Sequence, residues 1–375
     1  MERFGDKVIC NPKVKLNKGE SYPLIDIDKI NPQYRYVINQ ENTVYTGQSC
    51  SKFEDHDVLF ARITPCLENG KMAIASTGGK SGVGSTELFV FRGIKGISNT
   101  DYIYYLLCMP YMRKLAANSM TGASGRQRAD LNFIKKIPWN YPDISTQERI
   151  ASILSKYDEL IELNNKRIKL LEKAAEELYK EWFVRFRFPN YQNTEFENGI
   201  PKGWKVKRYK SELNIVYGKG LATTELLSSG YPVFGSNGII GYYHNYTYKE
   251  AQILISCRGA SSGKINISLP CSYITSNSLV CELTDSTEST FEYLEYWFKN
   301  TNLMQFQTGS AQPQITIASI SNHKILIPND IIQKSFSDQI KPINVQIYRL
   351  KKNNENLISQ RDLLLPRLMS GKLEV

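Results

Sequence analysis

The sequence predicts an α+β protein in which two pseudo-symmetric mixed α/β domains are separated by an antiparallel coiled coil of two long helices. Three observations predict it. The chain repeats itself at about half its length, each half closes on a long stretch with a heptad seam, and the text before each seam alternates β-type runs with polar loops.

The repeat is clearest towards the end of each half. "MTGASGRQRADLNFIKKIPWNYPDISTQERI" (Met120 to Ile150) has a counterpart in "FQTGSAQPQITIASISNHKILIPNDIIQKSF" (Phe306 to Phe336). From Pro142 and Pro328 onward the offset is a constant 186 residues, so Gln147 matches Gln333 and Leu171 matches Leu357. Upstream, "VLFARITPCLENGKMAIAS" parallels "ILISCRGASSGKINIS", each a strand-like run, an Arg-bearing loop, a Gly-Lys pair and another strand. "GSTELFVF" and "TSNSLVCEL" follow as polar turns feeding β-type runs, and then come the helix-like segments "DYIYYLLCMPYMRKLAA" and "FEYLEYWFKNTNLMQF". The resulting divisions are 1–143 for the first globular domain, 144–188 for the first long helix, 189–329 for the second domain with 189–204 as its lead-in loop, and 330–375 for the second helical region.

In the first helix Ile150, Leu154, Tyr157, Ile161, Asn164, Ile168 and Leu171 advance by alternating steps of four and three, and the pattern continues to Trp182. In the second, Phe336 and Ile340 lead into Ile343, Ile347, Leu350, Asn354 and Leu357 with the same period. Such a sustained seam marks a coiled coil. A twofold relation between the halves runs the two helices antiparallel. Setting Ile150 opposite Leu368 then places Asn164 opposite Asn354, either as a buried amide pair that fixes register or as two solvated side chains where the seam opens. An interior proline costs about 3 kcal/mol, so Pro342 reads as the first residue of the second long helix, after a short separate one. Pro366 reads as its last turn or a kink. About 24 residues at 1.5 Å each span roughly 36 Å, close to one turn of B-DNA.

Composition narrows the partners and the chemistry. The 375 residues carry 47 Lys and Arg against 37 Asp and Glu, a net charge of +10 that favours a polyanionic partner. Seven cysteines without a C-x-x-C pair indicate neither a disulfide framework nor a zinc site. There is no signal-type apolar core at the start and no apolar run of about 18 residues, so a cytoplasmic location and no membrane are the expectation. The Asp/Glu-x-Lys tripeptide of a common nuclease type and the Pro-Pro pair of amino-methyltransferases are both missing. Gly79-Lys80-Ser81 ends like a P-loop, but Ile74 stands where the first glycine belongs. His56, His244 and His323 lie apart, without metal-ligand spacing.

"ARITPCLENGKMA" with "GSTELFVFR", "MTGASGRQR" before "IPWNYPDISTQERIASIL", and the closing "LLLPRLMSGKLEV" together resemble the specificity subunit of type I restriction-modification systems. The resemblance extends over essentially the whole chain. It implies that each globular domain is a target recognition domain reading one half of a bipartite site in double-stranded DNA, with the helices setting the spacer. It further implies that the helices dock two modification (methyltransferase) subunits that methylate adenine, and that two restriction (translocase-nuclease) subunits can join. In that scheme this polypeptide performs no chemistry and binds no cofactor; S-adenosylmethionine, ATP and Mg are expected on the partner subunits. The alternatives are a self-contained DNA methyltransferase or nuclease with an unrecognised site, and a coiled-coil protein-assembly module. The missing catalytic motifs count against the first, and the basic balance and duplicated polar loops against the second.

DNA is read by side chains that hydrogen-bond base edges, while loop Lys, Arg, Ser and Thr hold phosphates. The candidates in the first domain are Arg62, Asn69, Lys71, Ser85, Thr86, Ser124, Arg126, Gln127 and Arg128. In the second they are Arg258, Ser261, Ser262, Lys264, Asn277, Ser278, Gln312 and Gln314. The Gly-Lys pairs also fit plain hairpin turns, and the Thr-Gly pairs fit turns that serve backbone geometry. Of the 23 tyrosines, the run "GYYHNYTY" could stack on bases, although strand aromatics more often pack domain surfaces. The stripe "LYKEWFVRFRF" (Leu178 to Phe188) exceeds what a two-helix seam covers and points to a partner or domain contact.

Overall fold

The computed structural model describes residues 1–39, 41–123, 125–309 and 313–375. Its contacts divide into two compact units, Met1–Arg167 with Leu350–Val375, and Ile168–Arg349. Each unit therefore owns a stretch of both long helices, a partition that the linear divisions do not show.

In the first unit the strands Val8–Cys10 (β1), Tyr36–Ile38 (β2), Val58–Ala61 (β3), Met72–Ser76 (β4) and Leu88–Gly93 (β5) form one sheet in the order β1-β5-β3-β4-β2. All neighbours are antiparallel except β4 and β2. A second sheet of Ser21–Ile25, Glu41–Val44, Ser51–Phe53 and Gly82–Gly84 belongs to the same unit. β3 is buried along its whole length, which its unbroken "VLFA" demands. One side of it packs against the helix Thr100–Cys108 (α1), with Val58, Phe60, Phe89 and Phe91 meeting Tyr102, Ile103 and Leu106. In the second unit Asn214–Tyr217 (β6), Ile253–Ser256 (β7), Ile265–Ile267 (β8) and Ser278–Glu282 (β9) take the order β6-β9-β7-β8. This is the β1-β5-β3-β4 arrangement again, and the helix Phe291–Asn300 (α3) packs on it as α1 packs on the first.

The long helices are Ile144–Tyr179 (α2), which runs on into a π-helical turn at Lys180–Val184, and Asp330–Met369 (α4). Pro342 does not begin α4. It lies within an unbroken helix of 40 residues, about 60 Å long. Pro342 and Asp338, whose carbonyl loses its donor to the ring, are both exposed, so water can replace the missing bond. Phe336 and Ile340 before it, and Ile347 after it, are buried and carry the helix across the defect. Pro366 sits in the last turn.

Both helices are seated by the same device. Gln147 and Gln333 are fully buried. The Asn99 N–H donates to Gln147 Oε1 (3.0 Å), and Gln147 Nε2 donates to the carbonyls of Ile97 (3.1 Å) and Pro142 (2.9 Å). The Thr290 N–H likewise donates to Gln333 Oε1 (2.8 Å), and Nε2 donates to Glu288 (3.1 Å) and Pro328 (2.8 Å). Asn99 and Thr290 are the caps of α1 and α3, so one buried amide ties each short helix to the start of a long one and leaves no polar group stranded.

The heptad seam is the buried edge of both helices. Ile150, Leu154, Ile161, Ile168 and Ile347 are nearly inaccessible, and Tyr157, Leu171, Ile343, Leu350 and Leu357 are half-buried. Within the first unit, Asn164 Nδ2 donates to Asn354 Oδ1 (2.8 Å), and Asn354 Nδ2 donates to Asn165 Oδ1 (2.9 Å). Asp158 receives Arg361 Nη1 and the Tyr105 hydroxyl. Contacts that pair rising with falling residue numbers make the helices antiparallel there. The aromatic stripe is domain core: Trp182, Phe183 and Phe188 are buried against Trp204, Tyr293 and Phe336 of the second unit.

Candidate nucleic-acid interface

Three loops meet at one end of the first sheet: the loop leaving β3, the turn entering β5, and the segment 121–128. Thr121 and Arg128 exchange both backbone bonds (3.0 Å each), so the two sides of a finger run together at its base. The finger is stitched to the β3 loop by Thr64 N–H to the Gln127 carbonyl (3.0 Å) and Ala129 N–H to the Arg62 carbonyl (2.8 Å). Arg62 N–H donates to the Glu87 carbonyl (3.0 Å), which adds the third loop. Sequence-distant candidates are thereby brought together.

The side chains then form an ion cluster. Arg128 is bidentate to Glu87, Nε to Oε2 at 2.9 Å and Nη2 to Oε1 at 2.6 Å, and Arg62 Nε reaches Oε2 at 3.2 Å. The Arg128 hydrogen bonds, joined by those of Arg62 and opposed by partial burial, hold the Glu87 carboxyl below the usual range. Two guanidinium groups on one carboxylate leave a single net positive charge, held in a fixed fork before any ligand arrives. Arg62 also lies over the Phe89 ring, 5.4 Å from its centroid. Around the cluster, Asn69, Thr86 and Arg126 are exposed, Gln127 is half-buried, and Ser85 Oγ accepts the Glu87 N–H (3.2 Å). Lys71 is engaged elsewhere, its Nζ donating to the Ile27 carbonyl (2.8 Å).

The second unit rebuilds this frame bond for bond. Thr308 and Gln314 exchange backbone bonds, Gly259 N–H donates to Pro313, Ile315 N–H donates to Cys257, and Cys257 N–H donates to Asn277. The matches are therefore Arg62 with Cys257, Glu87 with Asn277, and Arg128 with Gln314. Arg258 takes the place of Ile63 rather than Arg62, a shift of one residue from the alignment of Arg with Arg. Successive residues of an extended chain face opposite ways, so Arg258 projects from the other side of its loop. The charged cluster of the first unit is thus replaced by thiol, amide and amide.

Arg258, Asn277 and Gln314 are exposed here, Ser261 is half-buried, and Lys264 Nζ donates to Asn237 Oδ1. Ser262 and Ser278 do not belong to the surface: they are 3% and 0% exposed, the Ser278 hydroxyl donating to the Gly235 carbonyl. Ser124 and Gln312 lie outside the described residues. Gly259-Ala260-Ser261-Ser262-Gly263 has the G-x-S-x-G spacing of a nucleophile elbow, but it forms a 3-10 turn between two antiparallel strands, not the strand-to-helix turn that exposes such a serine. Among the described residues no His, Cys, Asp and Glu group could hold a metal ion, and no helix is long and apolar enough to cross a membrane.

A family model for the type I restriction modification DNA specificity domain matches residues 7–173 and again 201–360. The chain belongs to that family. The MjaIX specificity subunit of Methanocaldococcus jannaschii is 28% identical over 396 residues, covering 97% of this chain and 89% of its own. The EcoAI specificity subunit of Escherichia coli is 33% identical over 162 residues, covering 40% of this chain and 27% of its own. A crystal structure of the type I S subunit from M. genitalium has the same fold, with a TM-score of 0.57 at 17% identity over 98% of this chain and 95% of that one. As a type I specificity subunit, the chain is the DNA-recognising component of its system rather than a catalytic one, and its two repeats are two target recognition domains.

For a specificity subunit, the residue that sequence reasoning missed is Glu87. It lies inside "GSTELFVF", where an acid does not fit a search for side chains that bind a polyanion. The available signal was charge balance, since a lone carboxylate in a loop rich in arginine is a natural counter-ion.

Proposed function

We propose that each target recognition domain reads one half of a bipartite site in double-stranded DNA through its three-loop frame. In the first domain the reading group is Arg62, Glu87, Arg126, Gln127 and Arg128, with Asn69, Ser85 and Thr86 at its margin. In the second it is Arg258, Asn277 and Gln314, flanked by Ser261 and Lys264. One observation carries the reading: identical backbone bonding holds different polar side chains in the two domains, the arrangement expected of one scaffold reading two sequences. Arginine in a fork favours guanine, while glutamine and asparagine favour adenine. In this reading the helices set the spacer and dock two modification subunits, which two restriction subunits can join. S-adenosylmethionine, ATP and Mg then belong to those partners, and the assembly works in the cytoplasm.

The test is to express the chain with its modification partner and map methylated adenines genome-wide. Replacing 205–327 by the same segment of a relative changes one half of the methylated motif and leaves the other intact. Arg128→Ala relaxes a single position in the other half, by about 1–3 kcal/mol of discrimination. A motif that is not split, or halves that change together, would refute the proposal.

A further inference from the structure

In the second unit the strand Tyr231–Gly235 pairs antiparallel with Gly238–Tyr243 and parallel with Tyr273–Ile274. Ser21–Ile25 does the same in the first unit, with Glu41–Val44 and Gly82–Gly84. What differs is the connection: a long excursion after Ile25, but only Ser236 and Asn237 after Gly235. In both units the lysine of the Gly-Lys pair fastens it, Lys71 Nζ donating to the Ile27 carbonyl (2.8 Å) and Lys264 Nζ to Asn237 Oδ1. The short turn is tied further into the proposed reading frame. The Ser236 hydroxyl donates to the carbonyl of Asn277 (3.3 Å), itself a member of the reading group. The Ser236 carbonyl accepts from the Ser256 hydroxyl and from Asn266 Nδ2 (3.2 Å).

Beyond that turn the hairpin carries an extra residue. Phe234 lies opposite Ile239 and Val233 opposite Gly241, which leaves Ile240 unpaired in a β-bulge. A bulge breaks the alternation of a strand. Here both isoleucines stay in water, Ile239 49% and Ile240 46% exposed. Gly235 makes the room, since a Cβ there would lie 2.9 Å from Ile240 Cγ2. Half-exposed isoleucines add little to a core, whereas Phe234 on the facing strand is buried with Leu254, Ile274 and Val280. Base edges in the major groove offer hydrogen-bonding atoms and one apolar group, the C5 methyl of thymine, and that groove, about 12 Å wide, admits a two-stranded ribbon.

We propose that the hairpin tip, residues 236–240, is a further base-reading element of the second domain, in which Ile239 and Ile240 take thymine methyl groups beside the base read by Asn277. DNA is the occupant because the turn hangs on the reading loops, through Asn277 and Lys264, in a chain of a DNA specificity family. The inference rests on the second domain reading its own half-site.

The test uses the full chain in complex with its modification partner, and fluorescein-labelled duplexes carrying the methylated motif. Each thymine in the half that follows residues 205–327 is replaced in turn by deoxyuridine, which removes only the methyl group. At least one replacement is expected to weaken binding about four-fold, the worth of one buried methyl. Ile239→Thr with Ile240→Thr keeps β-branched side chains in the strand. This pair is expected to bind the thymine and deoxyuridine duplexes alike, with the thermal melting of the parent because both positions are exposed. Should the pair melt early, the two single substitutions carry the same comparison. Equal binding of every deoxyuridine duplex, or a methyl effect that the variants keep, overturns the inference while the split motif still stands. A motif whose halves do not follow the two domains overturns the reading beneath it as well.

Discussion

Asn354 is 8% exposed and divides its amide between Asn164 and Asn165. Cutting it back to alanine strands both partners, so Asn354→Ala is expected to cost about 1–3 kcal/mol in urea unfolding. Leucine at both 164 and 354 is expected to restore or exceed the original stability while loosening register, because an apolar pair tolerates the neighbouring alignment that an amide pair rejects. A double-mutant cycle on the two asparagines separates these effects, and additive losses would count against the pair. A second residue makes stability depend on pH. His56 Nε2 lies 3.0 Å from Asp101 Oδ1. That hydrogen bond, partly offset by burial and by Arg35, raises the imidazole pKa. A raised pKa stabilises the fold fully below the ordinary histidine value and loses that contribution as pH climbs through the higher one. Between about pH 6 and 8 stability is expected to fall, and His56→Gln to flatten the fall. An unchanged slope in the variant would remove His56 as its source.

Among the elements, the long helices are tied to the sheet domains by paired but unequal nodes. In the first unit Tyr105 of α1 donates to Asp158 of α2, which also holds Arg361 of α4. In the second, Tyr296 of α3 donates to Asn344 of α4 (3.2 Å), and Asn344 Nδ2 turns to Glu295 (2.9 Å). The two nodes sit at matched places in the repeat, the carboxylate standing on the long helix in one (Asp158) and on the short helix in the other (Glu295). Arg361→Met leaves the buried Asp158 without its counter-charge and is expected to destabilise by about 3–5 kcal/mol, most of it recovered when Asp158→Asn is added. Unfolding of the double variant no more stable than the single would contradict that assignment. The helices also show where local reasoning falls short. The large local cost of Pro342 makes it look like a helix start, but the buried residues on either side of it outweigh that cost. The heptad seam and its asparagine pair were legible because period and antiparallel direction are enough to place them.

At the scale of the whole molecule, the repeat was legible through features that keep backbone bonds in place: the Thr-Gly turns, the Gly-Lys pairs, and Gln147 with Gln333. The proposed reading surface was legible only in part. Arg62 and Arg258 share a letter but not a backbone position, and only the hydrogen bonds reveal the slip. Ser262 and Ser278 look like loop residues and are buried, the Ser278 hydroxyl with the Gly235 carbonyl as its acceptor. The division into two units could not be read from linear text at all, since it depends on which parts of α2 and α4 each domain grips.

That division has a consequence for how the protein is made. Leu365, Leu368 and Met369 complete the core around Ile150 and Leu154 in the first unit. A ribosome delivers them more than 200 residues after the rest of that core, whereas the second unit is contiguous and can close first. The half that is synthesised first is therefore the half that finishes last. A nascent chain stopped short of residue 350 would display a competent second domain beside an unfinished first one, an imbalance that cellular quality control could sense before a half-specific subunit joined its partners.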